Sequence, residues 1–172
     1  MLAVNVRFPP IADIGAPCQV GAMEASDECP EWEWRVRSSF AKQGLMSTLG
    51  AALGELAPGT VEIVLRPSQA ISQQHGFVHA GAVSAIADTA AGYAALSMMP
   101  AGRGVLTTEF KINLLAPAIG EMILARGKVV KAGRTLTLAQ TEVFSESGGK
   151  SKLIALLTAT LMAVEGREGV VD

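Results

Sequence analysis

The residue types able to do chemistry gather between Gln73 and Asp88. The chain there reads Gln73-Gln74-His75-Gly76-Phe77-Val78-His79-Ala80-Gly81, with Asp88 a little further on. His75 and His79 stand four apart, the spacing of two zinc ligands on one helical face. Gly76, however, occupies the place of a zincin's general base, and the chain has no third His. No metal and no cofactor are expected. Gly149-Lys150-Ser151 imitates the end of a phosphate-binding loop, but Phe144 sits where that loop needs its first glycine, so a hairpin turn is predicted. No Gly-x-Ser-x-Gly occurs, and Cys18 and Cys29 have no His near them in the sequence. Two cysteines also cannot build a disulfide framework or a four-ligand zinc site. Asp88 is what remains.

Asp88 is conspicuous because it is the only charged residue of the Ala-rich run 79–99. That run has few β-branched residues and no proline before Pro100, which predicts a helix. A helix apolar nearly all round is buried, and small side chains let a sheet approach it closely. A carboxylate there must be hydrogen-bonded, solvated in a cleft or protonated. Tying to a neighbouring Thr or backbone amide is the structural alternative to a catalytic role. His79, at the helix start, can simply bond backbone and orient the loop.

Other elements must hold this helix. A helical pattern is expected from Ser38 or Ser39, with Phe40, Leu45 and Leu49 at related positions and Gly50 and Gly54 weakening it. Pro58-Gly59 predicts a turn, and Val61, Ile63 and Leu65 alternate as a strand up to Pro67. Beyond Pro100, Leu106, Thr108, Phe110, Ile112 and Leu114 alternate with Thr107, Glu109, Lys111 and Asn113. Strand patterns follow over 122–131, 135–144 and 152–164, joined by short turns at Ala132-Gly133 and Ser147-Gly148-Gly149. Short connections predict an antiparallel meander. The economical packing is α+β, an antiparallel sheet wrapped around one long central helix. Residues 1–35, rich in Pro and acidic residues and carrying Trp32 and Trp34, are expected to form an irregular N-terminal extension. Residues 36–172 then form a single domain.

Composition excludes several partners. With 14 Lys+Arg against 16 Asp+Glu, the net charge of -2 offers a nucleic-acid polyanion no electrostatic footprint. No apolar run is long enough to span a membrane, since Ala80–Leu96 contains Asp88. The stretch Met1–Pro10 has no apolar core of a signal peptide, so a cytoplasmic protein is expected.

The segment from Gln73 to Val83, running into Ala87-Asp88-Thr89-Ala90, resembles the signature of hotdog-fold acyl-CoA thioesterases, nearest to the phenylacetic-acid-degradation branch. That pattern is His-Gly-Gly with an acidic residue nine positions after the His, the spacing of His79 and Asp88. Val105–Phe110 and Leu114–Pro117 resemble the family's next strand and its terminal proline, and the similarity covers roughly Ser39 to Val164. The resemblance implies a hotdog fold, a homodimer or homotetramer built as a dimer of dimers, and an acyl-CoA substrate. It implies Asp88 as general base or nucleophile, and Gly81 as the amide that polarises the thioester carbonyl. Gln73 falls where relatives place a carbonyl- or water-contacting amide, and Thr107 where some carry a water-orienting Ser. Ala80 replaces the first glycine but keeps its N–H.

Spacing bears on assembly. Asp88 lies seven residues beyond Gly81, about 10 Å along a helix at ~1.5 Å per residue, whereas reacting atoms must approach to roughly 3–3.5 Å. One chain cannot easily offer both groups to one carbon; two antiparallel-related chains can. Lys131 and Arg134, flanking Ala132-Gly133, are candidate contacts for the CoA phosphates, though each taken singly reads as a solvated turn charge. The reading is therefore an acyl-CoA thioesterase in which His79 holds the turn. A non-catalytic acyl-CoA sensor on the same fold is the alternative, although no helix-turn-helix pattern precedes Ser39. A hydratase is weaker still, because the Asn-Pro motif of that subgroup is missing.

Overall fold

The computed structural model describes residues 29–165. Their elements run, in chain order, α1 (Glu31–Phe40), α2 (Gly44–Leu49), β1 (Ala51–Ala57), β2 (Thr60–Leu65), a 3-10 turn (Gln69–Ile71), α3 (Ala80–Leu96), β3 (Arg103–Leu114), β4 (Met122–Lys131), β5 (Leu136–Ser147) and β6 (Lys150–Glu165).

Pro30 precedes α1, where a missing N–H costs nothing, and Glu31 and Glu33 sit in the first turn where the helix dipole favours them. Trp32 and Trp34 thus belong to a helix, and the irregular extension drawn to residue 35 is corrected: regular structure begins at Glu31. Residues 1–28 of that extension lie outside the described residues. The single helix expected from Ser38 or Ser39 is also corrected. α1 ends at Phe40, α2 is a separate short helix, and Gly50 closes it in the left-handed conformation at φ 68°. Gly54 lies in β1, where a Cβ would come within 2.9 Å of the Glu62 Cβ on the paired strand. Arg35 is buried in α1 and donates to the Met99 and Arg103 carbonyls at 2.9 and 3.3 Å, docking α1 over the chain leaving α3.

The six strands form one antiparallel sheet in the order β1-β2-β4-β5-β6-β3. The simple meander is therefore corrected. β4, β5 and β6 do follow one another, but β3 crosses to the far edge and pairs with β6. The alternation along β3 is corrected as well. A bulge between Thr107 and Glu109 shifts the register against Leu161 and Thr160, so the inward phase changes. Val105 packs against the core before the bulge and Ile112 after it, while Leu106 is exposed.

The sheet curls around α3, the α+β hotdog arrangement expected. Ile86, Ala87, Ala90, Ala91, Ala94 and Ala95 of α3 have no exposed surface and meet Val61, Ile63, Ile123, Val143 and Leu157. The closest approach is at Gly127 of β4, where a Cβ would lie 2.4 Å from the backbone of Ala90. The Thr141 hydroxyl donates to the Ala87 carbonyl at 2.9 Å from inside this interface. These contacts fix the rotation of α3 and hence the direction of Asp88.

Candidate active site

Asp88 lies in the third turn of α3 and opens into a cavity of about 580 Å³. The Thr107 hydroxyl donates to Asp88 Oδ1 at 2.9 Å. The β3 bulge makes this possible, because the extra residue turns Thr107 toward the helix while Thr108 donates to the Thr160 carbonyl at 2.9 Å. Half-burial pushes the Asp88 carboxyl above the usual aspartate range, and the Thr107 bond offsets part of that rise. The carboxylate is both tied to a Thr and open to a cleft, two of the arrangements open to a carboxylate on such a helix.

The start of α3 is built by a folded-back loop. Gly76, at φ 82°, turns the chain between Gln73 and Phe77, whose backbones bond at 2.8 Å. The Val78 N–H then bonds the Ala118 carbonyl, and the His79 N–H bonds the Ile71 carbonyl. His79 is the N-cap: its Nδ1 accepts from the Gly81 N–H at 2.8 Å, which requires a neutral ring with its proton on Nε2. Glycine at 81 suits this cap, since a Cβ there would lie 3.0 Å from Nδ1. The Ala80 N–H takes no partner among the described residues. Ala80 is accommodated because it sits in the helix proper, where a Cβ is no hindrance.

Gln73 and Ala80 line a second cavity of about 420 Å³, otherwise walled by apolar side chains including Phe77, Val83, Leu114 and Pro117. The Gln73 side-chain oxygen accepts from the His75 N–H, which leaves its amide hydrogens to donate outward. The structure thus joins Gln73 with the helix start in one cavity and Asp88 with Thr107 in another. Lys131 and Arg134 are exposed beside the β4–β5 turn and line neither cavity. Among the described residues no three His, Cys, Asp or Glu side chains come together as a metal site, and no helix is long and apolar enough to cross a membrane.

Sequence reasoning missed the polar wall beside Asp88. There Gln43 Nε2 donates to the Tyr93 hydroxyl at 2.8 Å, and that hydroxyl donates to Ser39 Oγ at 3.2 Å. The available signal was Tyr93, the chain's single tyrosine, five residues past Asp88 on the same helix.

Comparison with known proteins agrees with this architecture. The thioesterase superfamily model matches residues 75–152, which span the α3 cap, Asp88 and the strands up to the start of β6. A thioesterase family protein from Silicibacter pomeroyi is 50% identical, with a TM-score of 0.77 over 78% of this chain and 99% of that one. The Escherichia coli protein from the phenylacetic acid degradation operon shares the fold at 18% identity, with a TM-score of 0.71 over 78% of this chain and 94% of its own. A provisionally named esterase of Halobacterium salinarum is 28% identical over 113 residues, 63% of this chain and 74% of that protein. The chain belongs to the thioesterase superfamily.

Proposed function

We propose that the protein hydrolyses the thioester of an acyl- or aryl-acyl-CoA, at a site shared between two copies of the chain. The observation that carries this reading is the division of the candidate residues between two cavities. Gln73 and the start of α3 open into one, Asp88 and Thr107 into the other. Seven helical residues separate Gly81 from Asp88, about 10 Å of axis. A second chain closes that gap by bringing its own Asp88 to the first chain's helix start. Strand β3 offers a place for it: it is one of the two edges of the sheet, it carries Thr107, and it exposes Phe110 and Leu114 by about half their surface.

In this arrangement the thioester carbonyl oxygen lies at the positive end of the α3 dipole. The Gly81 amide serves as donor when the carbonyl oxygen displaces or shares the His79 cap, with Ala80 N–H and Gln73 beside it. Asp88 takes a proton from water as the water oxygen bonds the carbonyl carbon; the tetrahedral adduct then collapses, the C–S bond breaks, and that proton passes to the departing CoA thiolate. Direct attack by Asp88, giving an anhydride that water opens, uses the same groups. The raised pKa of Asp88 suits a base more than a leaving carboxylate. Lys131 and Arg134 are proposed contacts for the CoA phosphates, and the cytoplasm is the proposed compartment.

The test is thiol release over a panel of acyl-CoAs, wild type beside Asp88→Asn. Turnover by the wild type that collapses in the variant supports the reading. Acyl-CoA binding with no thiol release from any member of the panel would replace it with the sensor.

A further inference from the structure

The cavity beside Asp88 has an unusual wall for a protein that would accept plain alkyl chains. It runs along one face of α3 through Ala85, Asp88, Thr89, Gly92 and Tyr93, and is faced by Ser39, Lys42 and Gln43 from the end of α1 and the α1–α2 link. Tyr93 is five residues past Asp88, so the polar wall stands roughly 7.5 Å along the helix from the carboxylate at ~1.5 Å per residue. That is about the reach of one substituted ring or a short chain attached to a carbonyl held at Asp88. Gln43 is fixed in place by its bond to the Tyr93 hydroxyl. Its side-chain oxygen accepts no hydrogen bond among the described residues, and its second amide hydrogen is likewise left over.

Gly92 gives an independent indication. Alanine is the better helix former, and a Cβ at 92 would meet only Leu161, at an ordinary 3.9 Å. Nothing in the packing of the helix demands glycine there; what its absent side chain does is keep the cavity wall low between Asp88 and Tyr93.

We propose that this cavity receives the acyl group and that Gln43, held by Tyr93, selects short acyl groups whose far end carries a hydrogen-bonding substituent such as a hydroxyl. This rests on the thioesterase reading. A half-buried amide held ready for a partner discriminates against an alkyl end that leaves it unpaired, and such hydrogen-bonding sites discriminate far more sharply than apolar pockets do. Lys42, exposed at the rim, is placed to meet solvent or CoA before it meets the buried end.

The experiment compares kcat/KM for pentanoyl-CoA, its terminal-hydroxy counterpart and decanoyl-CoA in wild type, Gln43→Leu and Tyr93→Phe. Wild type is expected to favour the hydroxy substrate over pentanoyl-CoA at least ~10-fold, with decanoyl-CoA poorest. Gln43→Leu should bring the hydroxy/alkyl ratio close to one. Tyr93→Phe keeps the ring that packs at 6.0 Å from Phe40 and should lower the ratio part of the way. A wild-type ratio at or below one, or a ratio unmoved by Gln43→Leu, overturns the proposal while leaving hydrolysis by Asp88 standing. Absence of thiol release from all three substrates overturns this proposal, and the wider acyl- and aryl-acyl-CoA panel then decides whether the thioesterase reading falls with it. Gln43→Leu that fails to fold leaves the Tyr93→Phe ratio to decide.

Discussion

Burial of Asp88 works against stability whenever its carboxyl is charged. Its carboxyl binds a proton more tightly in the folded protein than in the unfolded chain, because burial disfavours its charge. The folded state therefore carries more protons between the ordinary aspartate pKa and the raised one, and stability falls as pH rises through that window. Asp88→Asn removes the charge and keeps an oxygen to accept from Thr107. It is expected to cut turnover ~10²–10⁴-fold, and to raise the thermal midpoint at neutral pH but not at acid pH, where Asp88 is itself protonated. Calorimetry at two pH values beside the thiol assay checks both parts; a variant less stable than wild type at neutral pH would show that the ionised carboxylate holds the fold together. Thr107→Val removes the bond that restrains the rise. The acid limb of its pH–rate profile should move to higher pH, and an unmoved limb would separate Thr107 from the ionisation that governs rate. Asp88 was legible from the sequence because a lone charge in an alanine run has few explanations. Its bond to Thr107 was not, because period-two counting cannot see a bulge that changes which side chains face the helix.

At the scale of elements, α3 and the sheet are fitted together without side chains at their closest point. Gly127→Ala would put a Cβ 2.4 Å from the Ala90 carbonyl carbon and oxygen, and backbone cannot yield there as the end of a flexible side chain would. The expected loss is at least the upper part of the ~1–3 kcal/mol usual for overpacking. At ~2–4 °C per kcal/mol that is a fall of roughly 6–12 °C in Tm, measurable by thermal melt. A melt unchanged from wild type would mean that α3 can lift from β4 without cost. The long central helix and the strands from Met122 onward were readable because composition and alternation persist over many residues. The region before Ala51 was not. Gly50 as a helix stop and Gly54 as a strand residue look alike in sequence, and only the pairing of β1 with β2 tells them apart.

For the whole molecule, the proposed shared site makes a prediction that no single chain satisfies. Asp88→Asn and Gln73→Ala are each expected to be inactive, yet mixed subunits should regain activity, because one of the two sites in each heterodimer is then intact. Verified heterodimers without activity would place Gln73 and Asp88 in the same chain's site, as would a fully active monomer in sedimentation at assay concentration. The crossover that puts β3 beside β6 has a further consequence, for the order in which the protein is made. β3 leaves the ribosome before β4, β5 and β6, and its one in-chain neighbour is the latest of these. Until β6 arrives, the strand bearing Leu106, Phe110 and Leu114 has two unpaired edges, and its closure is a long-range event of the slow kind. Pulsed hydrogen exchange during refolding should find the β4–β5 amides protected before those of β3, and simultaneous protection would count against this order. The strand that holds Asp88 through Thr107 is then among the last to become ordered, so a nascent chain is exposed to aggregation and proteases at the segment that the proposed site depends on.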